Sequence, residues 1–545
     1  MAGQSCGDAV RTVEADVLVI GGGSAGMCSA LAARAAGASV VLAYKTGGNC
    51  TSVAAGGFAA VLPGVTDDSV ESHYENTMQA SLGLADPRLV TLLTRRAGSE
   101  LRKIIAWGVE FYKTEDGALR RFRSGGHNAA RTYRCRGGNV VGFYRILRKQ
   151  VQDAGVGLLR NCALVRLLRR DGCVCGAWGM DDEGRPLKVQ AKAVVLASGG
   201  FAGAYANCSA PSGLTGEGLE MAYEAGGALM DLEFIQFMPT TIAYPPEFHG
   251  RIVNDTLRGE GAAIYNSENE RFMLRYDPKF GDFAGRDSLT IAIATEVAEG
   301  RGTPHGGAYL DATALDEKTI FESFGCARRL IAWGIDPRTT RIEVTPAAHF
   351  TCGGVVIDER CSTGVPGLYA VGEASAGVHG ANRLGANALS ETLVFGDIAG
   401  GEAARYAQGV HGAAVADDPV QGLWLERSRP EGGDSDRWLL DAAEAEIKRL
   451  FWENIGVVRS QKPLQSAQVR LQSLSDALDA RAPAAYTYAD NVRRERIRKM
   501  ARLGLKVASA ALERTETRGS HCRYDFKGKD EALTRHISFK DRSAT

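Results

Sequence analysis

The apolar run Asp16-Val17-Leu18-Val19-Ile20 ends in Gly21-Gly22-Gly23-Ser24-Ala25-Gly26, and an alanine-rich stretch to Ala36 and a second apolar run, Ser39 to Ala43, follow it. A short continuous apolar run bounded by glycines predicts a strand buried on both faces, and the alanine-rich stretch predicts a helix. Gly21, Gly23 and Gly26 occupy G-x-G-x-x-G where strand turns into helix. The first glycine permits the tight turn, the second lets backbone approach a pyrophosphate, and the third lets the helix pack closely on the strand. The unpaired N–H groups of the helix N-terminus then face that anion. The opening of the chain therefore predicts a βαβ unit holding a dinucleotide, either FAD or NAD.

An NAD site wants a carboxylate at the end of the second strand to take the ribose hydroxyls. Here that end reads Leu42-Ala43-Tyr44-Lys45, with none. Glu373 stands far down the chain, where a strand again meets a glycine turn, and a second contacting segment suits the longer FAD. Flavin is the expected cofactor.

The remaining length, 545 residues, predicts about three domains. Ala193 to Ala197 and Gly367 to Val371 read as further strands, so the sheet is assembled from distant segments. Between 237 and 345 the texture changes to longer loops and charged turns, as in YPPEFHGRIVND, and from 412 onward helical periodicity dominates, at Trp438 to Trp452, Leu464 to Leu478 and Asp490 to Arg514. The expected division is a cofactor domain over 1–236 and 346–411, an inserted domain over 237–345, and a helical domain over 412–545, with a Pro/Gly/Asp-rich linker near Arg427 to Asp436. Lys and Arg number 64 against 64 Asp and Glu, so no basic field attracts nucleic acid. The 12 cysteines form no C-x-x-C, which predicts neither a cluster nor a metal site and suits a reducing, cytoplasmic setting. No run of 18 apolar residues predicts membrane insertion, and the first residues lack the pattern of a signal peptide.

Eleven segments in order then resemble one family: GGGSAGMCSA, SVAAGGFAAV, ASGGFAG, TGEG, LEFIQFMPT, LRGEGA, NERFM, AGRD, AAHFTCGGV, LYAVGEASAGVHGANRLGANAL and TETRGSHCRYDF. The chain is similar over nearly its whole length to the flavoprotein subunit of succinate dehydrogenase and fumarate reductase, a family that includes L-aspartate oxidase. The resemblance implies an α/β fold: a Rossmann-like FAD-binding domain with an inserted α+β capping domain and a C-terminal helical domain. It implies FAD contacts at Gly21, Gly23, Ser24, Ala25 and Gly26, at Lys45, Thr46 and Gly47, at Thr51, Ser52, Ala55, Gly56 and Gly57, and at Glu217, Glu373, Ala388 and Leu389. Membrane-bound members carry a histidine that bonds covalently to FAD, and alignment on Gly56-Gly57 puts Cys50 there. A histidyl link is excluded, and non-covalent FAD beside a small buried thiol is expected, with a cysteinyl link as the alternative.

Adding hydride to an alkene needs a clamp that polarises the double bond, a proton donor on the opposite face and a dry site. By the resemblance Arg286 in AGRD is the proton donor, resupplied through Asp255 and Arg258. Asp255 stands where the family has Glu, and its missing methylene predicts a longer proton wire or one that carries a water. His349 and Arg383 match the pair that grips one substrate carboxylate, Arg383 through its planar fork. The distal half departs from the family pattern. Met238 replaces a histidine within Gln236-Phe237-Met238-Pro239-Thr240, and Asn254 replaces a threonine. Met donates no hydrogen bond, so a second anionic end loses about 1.5–3 kcal/mol of charge-assisted bonding. Either the distal end of the substrate is less charged or more apolar than that of fumarate, or Met238 is a tolerated change in a fumarate reductase.

The expected activity is an FAD-dependent enoate reductase of the fumarate reductase type, acting on a small carboxylate and supplied with electrons by a separate iron–sulfur or flavin partner. An L-aspartate oxidase or succinate dehydrogenase is the first alternative. Against the oxidase, Ser124 stands where that enzyme places a glutamate for the substrate amine, and His127 is given no role. A flavoprotein with no alkene chemistry is the second alternative, opposed by the presence of Arg286, Arg258 and Asp255. The charged C-terminal stretch fits a partner-docking surface or a face with internal ion pairs equally well.

Overall fold

The computed structural model describes residues 10–45, 48–54, 56–124, 126–137, 140–410, 434–480 and 487–541. Its centre is a seven-stranded sheet. The strand Arg11–Ile20 lies between Val40–Tyr44 and Pro186–Leu196, parallel to both, with Val17 opposite Val40 and Ala193. Val17, Leu18 and Val19 are fully buried, which is why the run needs no polar alternation; such burial stabilises by about 1.5–3 kcal/mol per side chain. The Pro186–Leu196 strand is longer than the expected Ala193 to Ala197. Its first half pairs antiparallel with Cys173–Met180, and its last residues pair parallel with Leu368–Ala370. One strand thus joins a hairpin to a segment nearly two hundred residues away.

The helix Ser24–Ala35 follows the glycine loop and packs along the 23-residue helix Asn387–Gly409. Between these segments a second hydrophobic core forms from residues of the 242–344 region, among them Ile242, Leu257, Ile264, Leu289, Leu310 and Val344. Its sheet is antiparallel, running Ile235–Ile242, Ile342–Thr351, Ala308–Asp311, Ala263–Tyr265, with the helix Arg286–Ala298 packed against it. The first and last stretches of this region are therefore neighbouring strands, and the intervening residues form a unit that leaves the cofactor domain and returns to it.

The helices Asp434–Asn454, Gln461–Asp479 and Tyr488–Glu513 form the C-terminal bundle. Leu464, Ala467, Leu471, Ser475 and Leu478 are its buried stripe on the middle helix, at the three-to-four residue spacing of an amphipathic helix. The last helix is tied to the cofactor domain by ion pairs, Arg496 to Glu217 at 2.8 Å and Lys506 to Glu220 at 2.8 Å. The tail is not wholly helical as the periodicity predicts: Ser538–Lys540 forms a strand beside Ala228–Met230. The charged C-terminal stretch is largely buried, with Arg514 and Arg518 both paired to Glu516 and Arg514 also to Glu233. Those residues serve internal ion pairs rather than a free surface. The expected linker near 427–436 falls mostly outside the described residues. No helix among the described residues is long and apolar enough to cross a membrane.

Candidate active site

A cavity of about 1600 Å³ runs from the glycine loop to the helix that begins at Arg286. Gly21 has φ +130°, and a Cβ there would lie 2.0 Å from the Ala197 carbonyl oxygen; a Cβ on Gly26 would lie 1.9 Å from the Gly21 oxygen. Gly21 makes the turn and Gly26 seats the helix, while Gly23 leaves its backbone open to the cavity. The Ser24 amide and hydroxyl both meet the Thr51 hydroxyl, at 3.0 and 2.9 Å, so the helix start is fixed to the segment after the second strand. These contacts leave a strip of backbone where a pyrophosphate fits. The Ser198 hydroxyl, on the same wall, is buried without a partner among the described residues, as a group that awaits a ligand hydroxyl would be.

Of the expected cofactor contacts, Gly21, Gly23, Ser24, Ala25, Lys45, Thr51, Gly56, Gly57, Glu217, Glu373, Ala388 and Leu389 line this cavity. Gly26 and Ser52 do not: Gly26 packs helix on strand, and the Ser52 hydroxyl donates to the Asn49 carbonyl at 2.8 Å. Thr46, Gly47 and Ala55 lie outside the described residues. At one end Glu217 accepts from Lys45 Nζ at 2.6 Å and Arg496 Nε at 2.8 Å. Burial alone pushes the Glu217 carboxyl up, but the two cations overcome it and hold it well below the usual range. Glu373 has no such cation in contact among the described residues. It accepts from the Thr351 amide at 3.1 Å and from the Cys50 thiol at 3.8 Å, and burial lifts it to about 7. Burial also pushes the Cys50 thiol well up, so it is present as thiol rather than thiolate.

At the other end Arg286 opens its helix, directly after Gly285. Its Nε donates to Asp255 Oδ2 at 2.6 Å, and Arg258 Nη2 donates to Asp255 Oδ1 at 2.8 Å. Burial raises the Asp255 carboxyl, and the two guanidiniums outweigh this and hold it at about 2. The longer wire expected from the missing methylene is corrected here: the shorter side chain meets both arginines directly, with no gap for a water. Arg258 is fixed from behind, its Nη1 donating to the carbonyls of Asp282 and Ala284 at 2.7 and 3.2 Å.

Arg383 and His349 share the same wall. The Arg383 guanidinium lies 4.4 Å from the Phe350 ring and donates through Nη2 to Gln236 Oε1 at 2.7 Å, with no carboxylate in contact among the described residues. Burial, then Arg286, lowers it to about 10, a cation that an incoming anion would stabilise. His349 is brought down to about 3 by burial and by Arg383 and Arg286, so the ring is neutral, its Nδ1 set by the Ser209 hydroxyl at 2.8 Å. Met238 is buried and lines the cavity beside them, as does Asn254. Thr240 does not; its hydroxyl donates to the Val253 carbonyl at 2.8 Å behind the wall.

These placements can be set against known proteins. The FAD binding domain family matches residues 16–389, and the fumarate reductase flavoprotein C-terminal family matches residues 444–544. The chain belongs to the fumarate reductase and succinate dehydrogenase flavoprotein family. It is therefore an FAD-dependent oxidoreductase. One subunit of the fumarate reductase (CoM/CoB) of Methanothermobacter marburgensis is 36% identical over 528 residues, 94% of each chain. L-Aspartate oxidase of Caulobacter vibrioides is 35% identical over 524 residues, again 94% of each. Among solved structures, E. coli quinol fumarate reductase FrdA superposes with a TM-score of 0.87 at 27% identity, covering 98% of this chain and 96% of that one.

In this flavoprotein five cavity groups escape the sequence reading. Gln236 holds Arg383 and also donates to the Asn382 side chain and the Arg383 carbonyl, at 2.8 and 3.1 Å. Its position two residues before Met238 is a signal within a motif already singled out. Asn382 in turn donates to Asp287 at 3.0 Å, and burial raises that carboxyl; Asp287 is the residue after Arg286 and carries the same kind of signal. Ser209, which orients His349, sits in no motif. His127 lines the cavity as a buried neutral ring bonded to the Gly385 carbonyl at 2.6 Å.

Proposed function

We propose that this flavoprotein reduces the carbon–carbon double bond of a carboxylate-bearing alkene, fumarate or a related enoate, with Arg286 as proton donor. The observation that carries the reading is the Arg286–Asp255–Arg258 chain on the cavity wall, each carboxylate oxygen of Asp255 committed to one guanidinium. A guanidinium gives up a proton only if it is replaced at once, and a carboxylate bridging two of them is a direct route for the replacement. A scaffold without alkene chemistry has no use for it.

Arg383 takes two oxygens of one substrate carboxylate through its fork, and neutral His349 contributes a further ring nitrogen. FAD, when bound and reduced, would supply the hydride that adds to one alkene carbon. Arg286 protonates the other carbon, so hydride plus proton convert alkene to saturated acid, and Asp255 returns a proton to Arg286 from the Arg258 side. Phe350 and Met238 add buried apolar surface beside these charges, which strengthens each charge interaction next to it. That the Methanothermobacter relative is one subunit of a larger enzyme supports a separate electron-transfer partner, of iron–sulfur or flavin type.

Oxidation of L-aspartate is the second reading, favoured by the Caulobacter relative. Against it, Ser124 lines the cavity where a carboxylate would be wanted for the substrate ammonium. Product analysis separates the two. Anaerobically reduced protein mixed with fumarate or crotonate should yield saturated acid in one-to-one proportion to flavin reoxidised. No saturated acid from any enoate, together with bleaching of the oxidised flavin by L-aspartate, would reverse the assignment.

A further inference from the structure

A dinucleotide fold asks for a carboxylate at the end of its second strand, where it accepts from the adenosine ribose. In this chain Lys45 stands there, directly after the strand Val40–Tyr44. Lys45 Nζ donates to Glu217 Oε1 at 2.6 Å. A carboxylate from a distant segment thus reaches the place that the second strand leaves without one. Glu217 opens the helix Glu217–Glu224 and lines the cavity together with Lys45. A Cβ on Gly218 would lie 2.0 Å from Ser198 Oγ, so the unpartnered Ser198 hydroxyl lies against the same helix start.

The third member comes from the helical domain. Arg496 Nε donates to the same oxygen, Glu217 Oε1, at 2.8 Å. Both cations hold one oxygen, and Oε2 has no partner among the described residues. A second ion pair between the same two helices is built differently. Lys506 Nζ donates to both oxygens of Glu220, at 2.8 and 3.0 Å, and Glu220 is buried without lining the cavity. That pair is complete in itself, whereas the Glu217 cluster keeps an acceptor to spare on the cavity wall. Burial alone would raise the Glu217 carboxyl, and Lys45 and Arg496 hold it low, so it stays a charged acceptor.

We propose that Arg496 is a positioning residue for the cofactor: with Lys45 it holds Glu217 so that Oε2 accepts from the hydroxyls of the FAD adenosine ribose. The C-terminal helical domain thereby takes part in FAD binding. The inference is independent of the reaction that the flavin performs.

The test reads FAD retention in the holoenzyme and ribose recognition in the full chain. On dilution, FAD release followed by flavin fluorescence should be about tenfold faster in Arg496→Gln than in the wild type, and within about threefold of wild type in Arg496→Lys. Lys506→Gln, which breaks the other ion pair between the same helices, should leave the release rate within about twofold. Once FAD is released, ADP and 2′,3′-dideoxy-ADP, which lacks both ribose hydroxyls, compete with FAD for rebinding. The wild type should hold ADP at least about tenfold more tightly than the dideoxy compound. Arg496→Gln should lose most of that preference while its affinity for dideoxy-ADP stays within about twofold, which also reports that the variant folds. Release from Arg496→Gln no faster than from Lys506→Gln, no preference for ADP in the wild type, or an equal loss for both nucleotides in Arg496→Gln would overturn the proposal.

Discussion

At the dinucleotide end of the cavity the groups that meet the ligand are mostly backbone, held open by Gly21 and Gly23 and fixed by the Ser24–Thr51 contacts. At the substrate end they are side chains, and chiefly guanidiniums: Arg258 and Arg286 on Asp255, and Arg383 on the same cavity wall. Two of the buried carboxylates show how neighbours decide a charge. Glu373, with no cation in contact, is lifted to about 7, whereas Asp255, between two, is held at about 2. The same burial gives opposite outcomes because opposite charge within hydrogen-bonding distance outweighs desolvation. Glu217 at the dinucleotide end, held low by Lys45 and Arg496, obeys the same rule, so neighbouring cations rather than position along the cavity set each charge.

The sharpest way to break that contrast is Arg286→Gln. Turnover should fall by about 10²–10⁴-fold, the range for loss of a positioned acid, with FAD content unchanged; loss of FAD with the activity would mean that the two ends are not independent. Arg383→Gln comes next. It should raise KM for an enoate by roughly 10- to 100-fold, from about 1.5–3 kcal/mol of charge-assisted bonding, in steady-state assays.

The pH dependence of stability tests the surroundings of Glu373. Glu373 keeps its proton in the fold up to about pH 7, whereas the unfolded chain releases it near 4.5. The unfolded state thus binds fewer protons between those values, and stability should fall as pH rises from about 4.5 to 7 and level off above. In thermal melts of protein freed of FAD, Glu373→Gln should flatten that slope, removing a dependence on the order of 1–3 kcal/mol. The smallest effect is expected for Asp255→Glu. It keeps the carboxylate between the two arginines and should change turnover by less than about tenfold; a larger loss would show that the direct Asp255 contacts depend on side-chain length.

The contrast also explains what could be read in advance. A dinucleotide loop is a backbone device, and backbone devices demand particular residue types in sequence: Gly21, Gly23 and Gly26 between a buried strand and a helix are legible without any partner being known. The substrate end depends on which side chains the fold brings together from residues 209 to 383. No local spacing encodes that Arg286 will meet Asp255, and those roles were reachable through family resemblance alone. Resemblance also fails where this chain departs from its relatives: the shorter Asp255 pointed to a gap in the wire, which the turn carrying Arg258 closes. Ser209 stands in no motif, and its relevance appears only when distant segments share one wall. The sheet shows the same limit. The Ala193 to Ala197 run is legible as a strand, but its extension back to Pro186 follows from pairing with Cys173–Met180, a contact of tertiary origin.

The most direct test of the reductase account is the rate at which anaerobically reduced protein is reoxidised in a stopped-flow instrument by fumarate, by crotonate and by dissolved oxygen. The account predicts that at least one enoate reoxidises the flavin much faster than oxygen does, and that Arg286→Gln abolishes this difference. Rapid reoxidation by oxygen with every enoate silent, and bleaching of the oxidised flavin by L-aspartate, would contradict it.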